Sequence, residues 1–284
     1  MTLLAGGSGG GGAGGYGSQE RMGFFTDTSV CIGCKACEVA CKEWNDVPAD
    51  GLNFLGTSYD NTGALGADTW RHVAFIEQPD GGAGGAEGAG VGGMRWLMSS
   101  DVCKHCTSAA CLEVCPTGAL FRTEFGTVVV QEDICNGCGY CVPACPFGVI
   151  DQREGDGRVW KCTLCYDRLR GAQKPACAQA CPTESIVFGP LDQLREQARG
   201  RVEDLHTAGC DSARLYGADP ADGVGGFGAF FLLLDEPETY GLPPDPVSTT
   251  RDLGAMWKAA AAAAGSLVAM AALAAFPGRR RRGR

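Results

Sequence analysis

Seventeen cysteines in 284 residues are the outstanding feature of this sequence, and sixteen of them fall into four groups. The groups are Cys31, Cys34, Cys37, Cys41; Cys103, Cys106, Cys111, Cys115; Cys135, Cys138, Cys141, Cys145; and Cys162, Cys165, Cys177, Cys181. The first and third read C-x2-C-x2-C-x3-C. The second opens the middle gap to x4 and the fourth to x11, so each begins and ends alike, as one motif repeated with insertions. Three chemistries compete for clustered cysteines. Disulfides between such near neighbours would close strained loops. Zinc sites use separated C-x2-C pairs instead of three cysteines within seven residues. The C-x2-C-x2-C-x3-C run, with proline next, is the bacterial ferredoxin signature for a [4Fe–4S] cluster. Pro116, Pro146 and Pro182 follow groups two to four, and Lys42 stands there in group one. The spacing therefore predicts four [4Fe–4S] clusters.

In that motif the first three cysteines wrap one cubane, and the fourth, on the following helix, ligates the other cluster of a two-cluster unit. Groups two and three are adjacent across the strand-like stretch 126–134, which predicts an inner unit at 101–150. Its clusters would be held by Cys103, Cys106, Cys111 with Cys145, and by Cys135, Cys138, Cys141 with Cys115. Groups one and four would pair around it: Cys31, Cys34, Cys37 with Cys181, and Cys162, Cys165, Cys177 with Cys41. Sequential pairing, one with two and three with four, is the alternative. Small residues such as Gly33, Ala36, Gly137 and Gly139 let the loop backbone approach a cluster. Lys35, Lys42, Lys104, Arg122 and Lys161 are candidates for charges that favour its reduced form. His105, between Lys104 and Cys106, reads as an unligated loop residue; tuning of the cluster by hydrogen bonding or charge is its alternative role. Cys210 has no motif and reads as a plain thiol.

The elements that would position these groups are short. Residues 70–78 and 94–100 predict a hairpin inserted between groups one and two, its glycine-rich connection at 81–93 too poor in apolar residues to order itself. Residues 185–189 predict a closing strand and 190–202 a helix, with Pro190 near its start. From 228 a buried apolar strand should run into a proline-rich extended arm that lies against another subunit. Residues 5–17 are low-complexity glycine, and 1–22 read as a disordered tail without the apolar core of a signal peptide. A net charge of −9 argues against nucleic acid and suits docking to a protein partner. Three histidines leave little room for imidazole chemistry. Residues 259–276 carry no charge and lie between Trp257 and Lys258 on one side and the four arginines 279–282 on the other. Eighteen residues are at the short end for a membrane span, and alanine inserts weakly. The interfacial flanks favour a single span over a soluble alanine-rich helix. The arginines would then keep the C-terminal end in the cytoplasm and the cluster domain outside it, with export supplied by a partner; a cytoplasmic location is the alternative.

Residues 23–45, 101–120, 134–150 and 161–186, with 230–246 and the apolar segment behind them, resemble the four-cluster iron–sulfur subunits of the molybdopterin oxidoreductase superfamily. Within it the pattern looks like the beta subunit of formate dehydrogenase. The resemblance spans roughly residues 23–276 and departs from the family at the glycine-rich insertion. It implies an α+β fold of two ferredoxin-like dicluster units related by a pseudo-two-fold, with the nested pairing above. The divisions would be a tail (1–22), a four-cluster core (23–190), a helix and docking arm (191–254) and an anchor with a basic tail (255–284). It further implies a catalytic alpha subunit carrying molybdenum or tungsten pterin, and a membrane subunit of cytochrome b or polysulfide-reductase type that reduces quinone. Relatives of the nitrate reductase branch carry tryptophan at one ligand position, whereas all sixteen positions here are cysteine. No catalytic residue is expected: the chain would carry electrons without making or breaking a substrate bond. Two other functions stay open, the same wire in a polysulfide, sulfoxide or tetrathionate reductase or a hydrogenase, and a free polyferredoxin.

Overall fold

In a computed structural model the chain is described for residues 20–50, 56, 62–79 and 94–275. The strands are β1 (Met22–Asp27), β2 (Arg71–Pro79), β3 (Met94–Val102), β4 (Leu120–Arg122), β5 (Val128–Val130), β6 (Asp151–Gln152), β7 (Val159–Trp160), β8 (Ile186–Pro190), β9 (Arg214–Tyr216) and β10 (Ala229–Leu233). The helices are α1 (Ala36–Asn45), α2 (Ala110–Glu113), α3 (Cys141–Ala144), α4 (Tyr166–Arg170), α5 (Ala176–Gln179), α6 (Leu191–Thr207) and α7 (Leu253–Ala275). Of the tail expected over 1–22, residues 1–19 lie outside the described residues, as do the glycine-rich connection at 81–93 and the arginines 279–282, while Met22 is buried and opens β1.

A four-stranded mixed sheet, in the order β8-β1-β10-β9, joins the two ends of the folded region. β1 pairs antiparallel with β8 and parallel with β10, with Phe25 opposite Phe230. All six residues of β1 and all five of β10 are buried; β10 is accordingly a continuous apolar run, whereas β1 ends in the buried Thr26 and Asp27. The rings of Phe25 and Phe230 stack with centroids 5.3 Å apart. Truncation there removes a buried ring that its neighbours cannot refill. Phe230→Ala is therefore expected to cost about 3–5 kcal/mol, read as a lower midpoint in thermal unfolding followed by loss of cluster absorbance. Helix α6 lays Leu191, Leu194 and Ala198 on this sheet.

The other three sheets are two-stranded. β2 and β3 pair antiparallel over nine residues, from Arg71 opposite Val102 to Pro79 opposite Met94. β4 and β5 pair within the inner cysteine region, which has its own apolar cluster built on Ala109, Leu120, Val128, Cys141, Ile150 and Val159.

Three sequence expectations change in detail. The strand expected over 126–134 is only Val128–Val130, because Gly126 takes a positive φ of 75° in the turn that precedes it and residues 132–134 turn again. The helix expected over 190–202 runs to Thr207, passing through Gly200 and ending just before Gly209. The segment after β10, expected as a proline-rich extended arm, makes contacts with this chain at several points. Tyr240 and Leu242 are buried, Tyr240 Oη accepts from the Leu234 amide at 3.1 Å, and Thr249 Oγ1 donates to the Ala144 carbonyl at 3.1 Å.

Candidate cluster-binding site

Each cysteine group starts in a loop that bends the same way. The second residue between the first two cysteines has a positive φ in all four: Gly33 at 65°, His105 at 44°, Gly137 at 71° and Leu164 at 59°. This left-handed turn folds the loop back around its own interior. Two loops use glycine, the residue that adopts it without strain. A Cβ on Gly33 would stand 2.6 Å from the Phe75 ring, and one on Gly137 would stand 2.5 Å from the Gly157 carbonyl. The other two loops force a side-chain-bearing residue into the same conformation and hold it by burial, His105 at 1% and Leu164 at 0% exposure. His105 thus occupies the place of a glycine, and its Nδ1 accepts from the Val128 amide at 3.1 Å. The ring is kept neutral: burial, then the charge of Lys161, holds its pKa well below the ordinary value.

The structure gathers the sixteen motif thiols in four sets. Cys31, Cys34, Cys37 and Cys181 line one cavity. Cys103, Cys106, Cys111 and Cys145 line another. Cys41 is acted on by the thiols of Cys162, Cys177 and Cys165, and Cys141 by those of Cys115, Cys135 and Cys138. Among the described residues no His, Cys, Asp or Glu trio converges on a point suited to a single metal ion; the thiols ring spaces instead. Cys210 stands apart, 3.8 Å from the Ser212 hydroxyl.

Peptide and side-chain donors point at the sulfurs. The Leu164 amide lies 3.3 Å from Cys162 Sγ. Although burial pushes the other way, the amides of Leu120, Thr117 and Ala119 and the Thr117 hydroxyl hold the Cys115 thiol below its ordinary pKa. Thr117 and Thr183 repeat one contact, each hydroxyl facing the cysteine two residues earlier at 3.6 and 3.8 Å. Asn45 Nδ2 donates to both Cys41 and Cys165, at 3.7 and 3.8 Å.

Burial shapes the electrostatics. It pushes the thiols of Cys37 and Cys165 up to about 11 and those of Cys111, Cys141 and Cys162 up to about 12. Such groups ionise only against positive charge brought to them, which is what a bound iron cluster supplies. Fully buried cations lie among them. Arg71 Nη2 donates to Cys177 Sγ at 3.4 Å. Lys161 donates to the carbonyls of Val128 and Cys162. Lys104 is paired with Asp101. A set of four soft thiols with amide donors, in a buried and cationic setting, fits an iron–sulfur cluster. Of the five charges the sequence suggested, Lys104 and Lys161 are buried. Arg122 reaches the Cys106 and Thr107 carbonyls, Lys35 pairs with Glu38, and Lys42 with Asp50. Arg71, Ser100 and Asn45 had no sequence signal, since none belongs to a cysteine motif.

Comparison with known proteins agrees with this chemistry. Two models of a 4Fe–4S dicluster domain match, over residues 30–119 and 94–191. The chain is 41% identical over 252 residues to the formate dehydrogenase-O iron–sulfur subunit of Escherichia coli, covering 86% of this chain and 79% of that one. It is 43% identical over 227 residues to the formate dehydrogenase iron–sulfur subunit of Haemophilus influenzae, covering 78% and 68%. It is 38% identical over 180 residues to one polypeptide of the anaerobic dimethyl sulfoxide reductase of Escherichia coli, covering 62% and 76%.

Proposed function

The chain belongs to the family of formate dehydrogenase iron–sulfur subunits, and on that premise we propose that it holds four [4Fe–4S] clusters through its sixteen motif cysteines and carries electrons away from a formate-oxidising partner. The observation that carries this reading is that each thiol set takes three members from one motif and one from another. The ligands are then Cys31, Cys34, Cys37, Cys181; Cys103, Cys106, Cys111, Cys145; Cys135, Cys138, Cys141, Cys115; and Cys162, Cys165, Cys177, Cys41. Groups one and four form one ferredoxin-like unit and groups two and three the other, related by a pseudo-two-fold. When bound, each cluster supplies a site for one electron. The chain's own part is to hold the sets in series, keep water from the inner ones and supply compensating charge.

The series has two ends. Cys37 and Cys177 link set one to set four through Arg71 and Ser100, and Lys161 lies among Cys103, Cys111 and Cys162, between sets two and four. Sets two and three meet where Cys111 feels Cys141. Only Cys34 in set one and Cys138 in set three are exposed, beside the exposed Ile32 and the exposed Ile134 and Tyr140. Electrons enter at one of these faces and leave at the other. The partner at the entry face is a catalytic subunit with a molybdenum or tungsten pterin. At the exit face it is a quinone-reducing membrane subunit of cytochrome b or polysulfide-reductase type. α7 anchors the chain, with the cluster domain outside the cytoplasm.

A sulfoxide reductase wire is the second reading, favoured by matches such as the 38% one, which covers less of this chain than the formate relatives do. Anaerobic purification tests both. Four clusters of four irons give about sixteen irons per chain, with matching sulfide; about eight would sink the four-cluster reading. Formate-dependent dye reduction by the purified complex is expected. Oxidation of a reduced dye by a sulfoxide, without formate-dependent dye reduction, would transfer the chain to the second reading.

A further inference from the structure

Arg71 is buried to 1% exposure at the start of β2, outside every cysteine motif. Its Nη2 donates to Cys177 Sγ at 3.4 Å, and its Nη1 donates at 3.2 Å to both the carbonyl and the hydroxyl oxygen of Ser100. Ser100 Oγ lies 3.2 Å from Cys37 Sγ. Because that oxygen accepts from Arg71, its own hydrogen is free to donate to Cys37. One guanidinium thus reaches two thiol sets, directly in one case and through a hydroxyl in the other. Its carbon lies 4.9 Å from the Phe24 ring centre, which fixes the plane of the fork.

No ion pair among the described residues includes Arg71. Lys104, the neighbouring buried cation, is by contrast neutralised by Asp101. A buried guanidinium without a carboxylate is costly unless other negative charge compensates it. The groups placed to compensate it are the sulfur of Cys177, which accepts directly, and that of Cys37, reached through Ser100. Since arginine stays charged throughout, its effect does not depend on titration.

We propose that Arg71 is a shared counter-charge for the clusters of Cys37 and Cys177, placed by the β2–β3 strand pair to make both easier to reduce. The inference rests on the four-cluster reading above. An electron added to either cluster increases negative charge beside a fixed cation, so reduction is favoured at both. The Ser100 relay makes the effect on the Cys37 cluster depend on a single hydroxyl.

EPR-monitored redox titration of the anaerobically purified chain tests this, after iron analysis has established about sixteen irons. In Arg71→Gln both clusters should be about tenfold harder to reduce, roughly 59 mV lower for one electron, with the clusters of sets two and three unmoved. Arg71→Lys keeps the charge and should recover part of the shift. Unchanged potentials at full iron content would overturn the proposal, as would equal shifts in Arg71→Gln and Arg71→Lys, which would make packing the cause. If Arg71→Gln does not assemble, Ser100→Ala decides: a drop confined to the Cys37 cluster supports the relay, and no drop refutes it. A wild-type iron content near about eight would instead remove the four-cluster reading and leave the contacts of Arg71 to be explained separately.

Discussion

Cys41→Ala is expected to destroy or degrade the cluster of Cys162, Cys165 and Cys177 while leaving that of Cys31, Cys34 and Cys37 intact, although Cys41 belongs to the same motif as the latter. Helix α1 explains how one motif serves two clusters. Cys37 and Cys41 are four residues apart on it and share a face, but they are about 6 Å apart along its axis. That rise carries Cys41 past the Cys37 cavity to the thiols of Cys162, Cys177 and Cys165. α1 packs against α5, which carries Cys177, so the two helices position each other's ligands. The variant should lose up to about four of sixteen irons and the same EPR signal that Cys165→Ala loses. If Cys41→Ala instead abolished the signal lost in Cys34→Ala, the ligand sets would be wrong. The buried thiols left without iron would also stand protonated and poorly partnered in the core, so lower thermal stability should accompany the iron loss.

The four cysteine motifs were legible because each keeps the C-x2-C beginning and the C-x3-C end whatever the length of its middle gap. The charges around them were not, because nothing in spacing records them. Arg71 and Ser100 come from the paired strands β2 and β3 between groups one and two, and they meet only because those strands pair with Val73 opposite Ser100. The same limit hid the role of His105. It reads from sequence as an unligated loop residue, and the structure adds that its backbone at φ 44° matches Gly33, so its loop turns as the glycine loops do. Only comparing the four loops at one position reveals this. β10 was readable as a buried strand from its apolar run. Its parallel pairing with β1, some 200 residues earlier, was not, since a strand's partner is chosen by the rest of the sheet. α6 outran its expected end because amphipathicity marks a helix's face better than its last turn.

The remaining large effect concerns α7. It has 23 residues, about 35 Å at the usual rise, against a hydrocarbon core of about 30 Å. None of its residues is buried in the folded chain, and its most apolar 18-residue window has a mean hydropathy of 1.6. Leu267, Val268, Met270 and Leu273 are each more than half exposed. A soluble alanine-rich helix of this length would gain little by standing free, since most helical stability in proteins comes from a packed apolar face. A bilayer supplies that contact on all sides. Trp257, 72% exposed, sits near one end as an interfacial anchor, with Lys258 beside it. The purified full-length chain is therefore expected to float with phosphatidylcholine–phosphatidylglycerol vesicles in a density gradient. A chain ending at Asp252 should remain at the bottom with its iron content unchanged, because no ligand lies beyond Cys181. Residues 248–252 remain in it and keep the contact of Thr249 with α3. Flotation that survives the truncation would place the membrane contact on the cluster domain. A full-length chain that stays at the bottom would leave α7 as a docking helix for the partner subunit, and the span would be abandoned.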